Sequence, residues 1–254
     1  MKSYLVVGAS KGIGRSLSLD LNKQGHLVVA VARSRGLLLK AKTEAQFPQN
    51  FIPLAADISR KKSWDYIVKY LESTSIIPEV IIFTAAIFFN DLVDNIKTED
   101  IRRIFDNNFF GPLEGISKLT RRLGSNTEFV LISTSSAFKG NAIEGIGYPA
   151  SKAAISIAFE SLHLKRLHKF TFKTIYLGPV ISGMGLIKEK RWYVMKEEDA
   201  VKAIESDLNS ENIHSYHPRI LFLCIKVAKI LPSGIYFRLL SKIEENHNKI
   251  SYRK

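Results

Sequence analysis

Short apolar runs alternate along the chain with longer stretches whose apolar positions recur at helical spacing. Tyr4–Val7, Leu27–Ala32, Phe51–Leu54, Val80–Phe83, Phe129–Ile132 and Phe172–Leu177 are rich in Val, Ile, Leu and Phe without polar alternation. Such runs predict strands of a parallel sheet covered on both faces, because a strand with one wet face carries a polar residue at every second position. Between them, Gly12–Gln24, Leu37–Phe47, Ser63–Glu72, Ile101–Leu123 and Tyr148–His168 predict helices. Strand and helix repeated in this order predict a doubly wound α/β fold of Rossmann type, a parallel sheet with helices on both faces. No linker, repeat or low-complexity segment interrupts the pattern, so residues 1–254 read as a single domain.

The tail differs. Ile220–Leu240 is apolar but broken by Lys226, Lys229, Pro232 and Arg238. A membrane-spanning helix needs about 20 mostly apolar residues, and two lysines at the middle argue against one. Residues 214–254 carry eight Lys or Arg against two acids, a net +6. The pattern predicts a basic, apolar, helical extension that packs on the domain or on a second subunit. An amphipathic helix lying on a membrane, at its inner surface, is the alternative.

Composition adds limits. A hydrophobic fraction of 46% and a charged fraction of 24% are ordinary for a soluble globular protein. The lone Cys224 has no internal disulfide partner, which points to a reducing, cytoplasmic compartment. Met1-Lys2-Ser3 runs straight into the first apolar stretch without a signal-peptide pattern. The net charge of +13 suits nucleic acid, an anionic membrane or a phosphorylated small molecule. The cations are scattered rather than gathered in one block, which argues against nucleic acid.

Chemistry first shows after the first strand, at Gly8-Ala9-Ser10-Lys11-Gly12-Ile13-Gly14. Glycines there permit a tight turn and close backbone approach, and the following helix offers its free N–H groups to a pyrophosphate. The second strand ends Val31-Ala32-Arg33-Ser34-Arg35. An NAD site carries an Asp or Glu at that place for the ribose 2′-hydroxyl. A carboxylate repels a 2′-phosphate, whereas a guanidinium binds one through forked hydrogen bonds. Arg33, with Lys11 in the glycine turn, therefore selects NADP(H) over NAD(H).

Tyr148-Pro149-Ala150-Ser151-Lys152 opens the last long helix, and residues four apart share a helix face. A tyrosine has a pKa near 10 and is a poor acid–base group at neutral pH. An ammonium about 4 Å away, at an effective dielectric near 20, contributes about 4 kcal/mol, or roughly three pKa units. That brings the phenol toward the range useful for proton transfer. Asn108 has its own physical reading. Pro112, four residues later, lacks the N–H that a helix would give to the Asn108 carbonyl, and such a carbonyl is a natural site for an ordered water.

The glycine turn, Asp57 after the third strand, Asn108, Ser135 and Tyr148-x-x-x-Lys152 occur in an order that resembles the short-chain dehydrogenase/reductase family, over about residues 4–204. The resemblance implies that Tyr148 protonates the carbonyl oxygen as hydride arrives. Lys152 holds the nicotinamide ribose and depresses the tyrosine pKa. Ser135, thirteen residues before Tyr148, hydrogen-bonds the substrate oxygen, although Ser133, Thr134 and Ser136 stand beside it. Asn108 and Lys152 relay protons through water. Gly8, Ser10, Gly12, Ile13 and Gly14 bind the pyrophosphate, Lys11, Arg33 and Ser34 the adenosine end, and Asp57 and Ile58 the adenine. Ala85, Ala86, Gly178, Val180 and Ser182 line the nicotinamide side. Two departures stand out. The family's Asn-Asn-Ala-Gly is Phe83-Thr84-Ala85-Ala86, and its Pro-Gly-x-Val turn is Leu177-Gly178-Pro179-Val180. A homodimer or homotetramer is also implied.

Together these readings give a carbonyl reductase acting on a small carbonyl or alcohol. A nucleotide-binding regulator or membrane-surface protein without turnover is the contrasting class. Met184, Leu186, Ile187, Trp192, Tyr193 and Met195, with Phe88 and Phe89, suggest an apolar substrate pocket. No metal site is expected: His163 and His168 are five apart, and His214 and His217 have no carboxylate or cysteine beside them in the chain.

Overall fold

In the computed structural model the chain is described at residues 1–89, 96–123, 126–139, 145–165, 169–181, 192–232, 234–235 and 238. Its centre is a seven-stranded parallel sheet in the order β3-β2-β1-β4-β5-β6-β9. The strands are β1 (Ser3–Val7), β2 (Leu27–Ala32), β3 (Phe51–Ala55), β4 (Val80–Phe83), β5 (Thr127–Thr134), β6 (Phe170–Leu177) and β9 (His214–His217). The order reverses between β1, which pairs with β2, and β4, on the other side of β1. In such sheets a crevice opens beyond the carboxyl ends of the strands at this reversal.

Alternate strand residues face opposite ways, and this decides which helices cover which face. Tyr4, Val6, Val28, Ala30, Val130 and Ile132 share a core with α1 (Gly12–Lys23), α2 (Arg35–Glu44) and α7 (Glu197–Leu208), through Leu17, Leu21, Leu38 and Ile204. Leu5, Val7, Val29, Val31, Phe129 and Leu131 pack beneath α3 (Lys61–Ser73), α5 (Gly111–Leu119) and α6 (Gly147–Lys165). On that face Phe83 meets Phe159 edge-on at 6.1 Å and lies 6.2 Å from Trp64. Phenylalanine thus fills hydrophobic volume where the family pattern has asparagine.

The helix expected over Ile101–Leu123 is made of three parts. α4 (Thr98–Phe105) runs into a wide π-turn, Asp106–Phe110, and then into α5. The Gly111 N–H bonds the Asp106 carbonyl five residues back, one residue further than in an α-helix. The widening falls just ahead of Pro112, whose ring cannot supply the next regular bond.

Two short strands, β7 (Val180–Ile181) and β8 (Met195–Lys196), pair in parallel as a second sheet. The C-terminal extension begins inside the sheet. His214–His217 is its edge strand, and only from Arg219 does the chain turn helical, in α8 (Arg219–Ile230). His-Ser-Tyr-His offers no apolar run, so periodicity does not mark it as a strand.

Candidate functional site

The glycine turn sits where β1 and β4 end side by side. Gly8 has φ of +104°, a left-handed conformation, and a Cβ there would run into Thr84 and the Ala85 backbone. Thr84 Oγ1 donates to the Val7 carbonyl at 2.9 Å and ties the two strand ends together. Gly14 is equally confined, since its added Cβ would meet Thr84 and the Gly8 carbonyl. Thr84 therefore keeps the bracing role of a polar residue after β4, while the preceding position is given to the core.

A cleft of about 380 Å³ opens at this reversal. Among the expected cofactor residues it is lined by Gly8, Ser10, Lys11, Arg33, Ser34, Ile58, Ala85 and Ala86. Lys11 and Arg33 are exposed at its rim, and no carboxylate lies among the lining residues. Ser34 also caps α2, its hydroxyl accepting from the Leu37 N–H at 3.4 Å. Gly12, Ile13 and Gly14 form the start of α1 instead of the lining. Asp57 does not line it either. Its Oδ1 accepts from the Ser59 N–H and hydroxyl, and Oδ2 lies 3.6 Å from Arg60, so the carboxylate is used within its own turn. Val31, Leu37, Ile87 and Asn107 join the lining without having been singled out in the sequence. For Asn107 a signal existed, in its place beside Asn108.

Asn108 is buried and fixed by the π-turn. Its Oδ1 accepts from the Ile87 N–H at 2.8 Å and from Asn107 Nδ2 at 3.0 Å. Its Nδ2 donates to the Ile87 carbonyl at 3.0 Å and to Ser151 Oγ at 3.1 Å. Ser151 in turn donates to the Tyr148 carbonyl. One asparagine thus couples the loop after β4 to the first turn of α6. Sequence reading missed Ser151, though it lies between Tyr148 and Lys152.

Lys152 is buried, and its Nζ donates to the Ile132 carbonyl of β5 at 2.9 Å. Burial disfavours its charged form and lowers its pKa from 10.5 to about 8. Tyr148, one turn earlier, is half-buried and meets the Phe88 ring edge-on at 5.8 Å. α6 packs against the 3₁₀ turn Ser135–Phe138 that follows β5, and against the π-turn, so the same helix touches both supports of the site.

The four neighbouring hydroxyls at the end of β5 and the start of the next turn separate by burial. Ser133 is buried and pairs with Ser156 Oγ at 2.8 Å. Thr134 caps the 3₁₀ turn by accepting from the Ser136 N–H, and both residues are buried. Ser135 alone of the four is half-buried at the surface of the turn.

The remaining expectations divide. Gly178 joins β6 to β9, its N–H donating to the His217 carbonyl, and Val180 starts β7. Ser182, Met184, Leu186 and Ile187 lie outside the described residues. Phe88 stands at Tyr148, but Phe89 is covered by the Arg103 guanidinium at 4.8 Å. Met195 packs against the sheet core, and Trp192 is exposed beside Tyr193. His217 does gain a carboxylate, Asp207 Oδ2 at 2.7 Å, supplied by α7 rather than by a chain neighbour. Among the described residues no three His, Cys, Asp or Glu side chains gather as a metal site.

Comparison with known proteins accords with this layout. A family model described as short chain dehydrogenase matches residues 2–190. The chain is 28% identical to an NADPH-dependent pterin aldehyde reductase of Arabidopsis thaliana over 156 residues, 61% of this chain and 64% of that protein. It is 27% identical to carbonyl reductase family member 4 of Danio rerio over 79% of this chain and 81% of the relative. In fold it is similar to a short chain dehydrogenase from Burkholderia cenocepacia J2315 solved in complex with NADP. The TM-score is 0.77 at 19% identity, covering 94% of this chain and 99% of that one.

Proposed function

The chain belongs to the short-chain dehydrogenase family of oxidoreductases, and from that membership we propose that it is an NADP(H)-dependent reductase of a small carbonyl compound, running to or from the alcohol. The observation that carries the cofactor choice is the cleft rim, where Lys11 and Arg33 stand without any lining carboxylate. A doubly charged 2′-phosphate is stabilised by such cations and repelled by an acid. A relative named as NADPH-dependent and a structural neighbour bound to NADP support the same choice.

When bound, NADPH supplies the hydride. The side chains do the rest. Tyr148 gives its phenolic proton to the substrate oxygen as negative charge builds there. Ser135, the accessible hydroxyl of its turn, donates a hydrogen bond to the same oxygen. Lys152, on the helix face of Tyr148 and held at the end of β5, favours the phenolate by its charge. Asn108 fixes the first turn of α6 through Ser151, and so fixes the tyrosine that this turn carries. Reprotonation of Tyr148 runs through Lys152 and water at Asn108. Phe88 makes an apolar wall beside the phenol, which supports an apolar substrate. A reducing, cytoplasmic location accords with the single cysteine, and a homodimer or homotetramer with the family.

The test is NADPH consumption over a panel of aldehydes and ketones, by wild type and Tyr148→Phe. Loss of the proton donor should lower kcat by about 10²–10⁴-fold with little change in NADPH affinity. Near wild-type turnover by the phenylalanine variant on the best substrate contradicts the assignment.

A further inference from the structure

Away from the cleft, the outer face of α8 has no assigned role. Ile220, Leu223, Val227 and Ile230 are 65, 63, 54 and 85% exposed. At intervals of three, four and three they form one stripe along the helix, and exposed Cys224 lies within it. The opposite side is already used. Phe222 is buried against Phe138 and Tyr216, with ring centroids at 5.7 and 5.2 Å. α8 is therefore apolar on both sides, whereas a helix that only caps a domain turns a polar face to water.

The charge along this helix has one sign. Arg219, Lys226 and Lys229 are its ionised residues, and none is acidic. Arg219 and Lys226 flank the exposed stripe, Lys226 Nζ lying 5.0 Å from the Tyr216 ring, whereas Lys229, seven residues after Phe222, lies on the packed side with its Nζ 5.2 Å from the Phe138 ring. From residue 219 onward the sequence holds eight Lys or Arg against two acids.

We propose that α8 docks this protein on an anionic lipid surface, the stripe entering the acyl boundary and the bordering cations meeting lipid phosphates. The charge argues for lipid over a second copy of the chain. A two-fold contact sets the same patch against itself, and would gather Arg219 and Lys226 of both copies around one seam, with no acid on the helix to pair them. An anionic interface takes both the apolar stripe and the cations. Among the described residues no helix is long and apolar enough to cross a membrane, so the contact is peripheral. α8 also abuts the turn that carries Ser135: Lys139 Nζ donates to the Ala228 carbonyl at 3.1 Å, and Leu221 lies over Gly178. Docking therefore brings the lipid next to the substrate end assigned above. That consequence rests on the reductase reading, whereas the docking itself does not.

The experiment is vesicle flotation of the full chain, without dinucleotide or substrate, on phosphatidylcholine vesicles with and without phosphatidylglycerol. Wild type should float with the anionic vesicles and stay behind with neutral ones. Leu223→Gln combined with Val227→Gln leaves the charge unchanged and alters only exposed positions. It should lower the apparent partition coefficient about tenfold or more, with the melting temperature unaltered. Wild type remaining free in the presence of anionic vesicles overturns the proposal. So does a glutamine pair that floats like wild type, because scattered surface charge then accounts for binding. A lipid-free sedimentation experiment adds a third contrary outcome. A larger wild-type species that the glutamine pair reduces to a smaller one would assign the stripe to a second copy.

Discussion

A lysine that is buried in a fold must give up hydration, and Lys152 does so at the end of β5 with its pKa lowered to about 8 by burial. The placement has a measurable signature. The folded pKa lies below the unfolded value near 10.5, so between about pH 8 and 10.5 the unfolded chain binds more protons than the folded one. Stability from this group is lowest at neutral pH and rises as pH climbs through that window. At 1.36 kcal/mol per pKa unit the full change is about 3 kcal/mol. Burial raises Tyr4 and Tyr176 to about 12, and these act in the opposite sense above pH 10. The useful range is therefore pH 8 to 10. Lys152→Met removes the slope, so denaturation should show wild type gaining on the variant as pH rises across that range. Parallel pH profiles would contradict the burial of the charge. The same residue explains what was legible at this scale. Tyr148 and Lys152 can be paired from their spacing alone, because four residues on a helix define a shared face. Ser135 was singled out among four hydroxyls only through the family resemblance; the contacts that engage its neighbours, in the turn and at Ser156, are tertiary and were not legible.

At the scale of elements, the site hangs on the junction of α4, the π-turn and α5. The apolar spacing of a helix continues through Asp106–Phe110, so hydrophobic periodicity predicts one long helix. Pro112 was the available sign, and it marks the perturbation without stating its form. The π-turn brings Asn107 to the cleft and turns Asn108 onto the Ile87 backbone. Asn108→Ala leaves the Ile87 N–H and carbonyl without those partners, at about 1–3 kcal/mol for each buried group left unmet. Stability should fall by roughly 2–4 kcal/mol, and kcat should fall with it because the first turn of α6 loses its anchor. The check is chemical denaturation with turnover measured well below the transition. A variant of unchanged stability and rate would show that the loop after β4 does not depend on this side chain. β9 was less legible than the other strands for a different reason. Four residues without an apolar run become a strand because β6 offers a free edge and Gly178 bonds to His217, which is tertiary context.

Over the whole molecule, the parallel sheet and its two helical layers were legible, because buried parallel strands leave unbroken Val, Ile, Leu and Phe runs, whereas the strand order was not read from them. The cleft follows from topology: the strand order reverses at β1 and β4, and the glycine turn occupies the reversal. Arg33 and Lys11, read in the sequence as the cations of an adenosine end, stand together at the rim of this cleft. The residues expected to form one apolar substrate pocket instead scatter to different supports, Phe89 under Arg103 and Met195 into the core. The central claim is that this cleft takes NADP(H) and selects it by those cations. Thermal melting of the purified protein with NADPH, with NADH and with neither tests it most directly. At about 100 times its dissociation constant a ligand adds about 2.7 kcal/mol, or roughly 5–10 °C at this chain length. NADPH should give that shift, and NADH at the same concentration a much smaller one. An equal or larger shift with NADH, or no shift with either, would contradict the account.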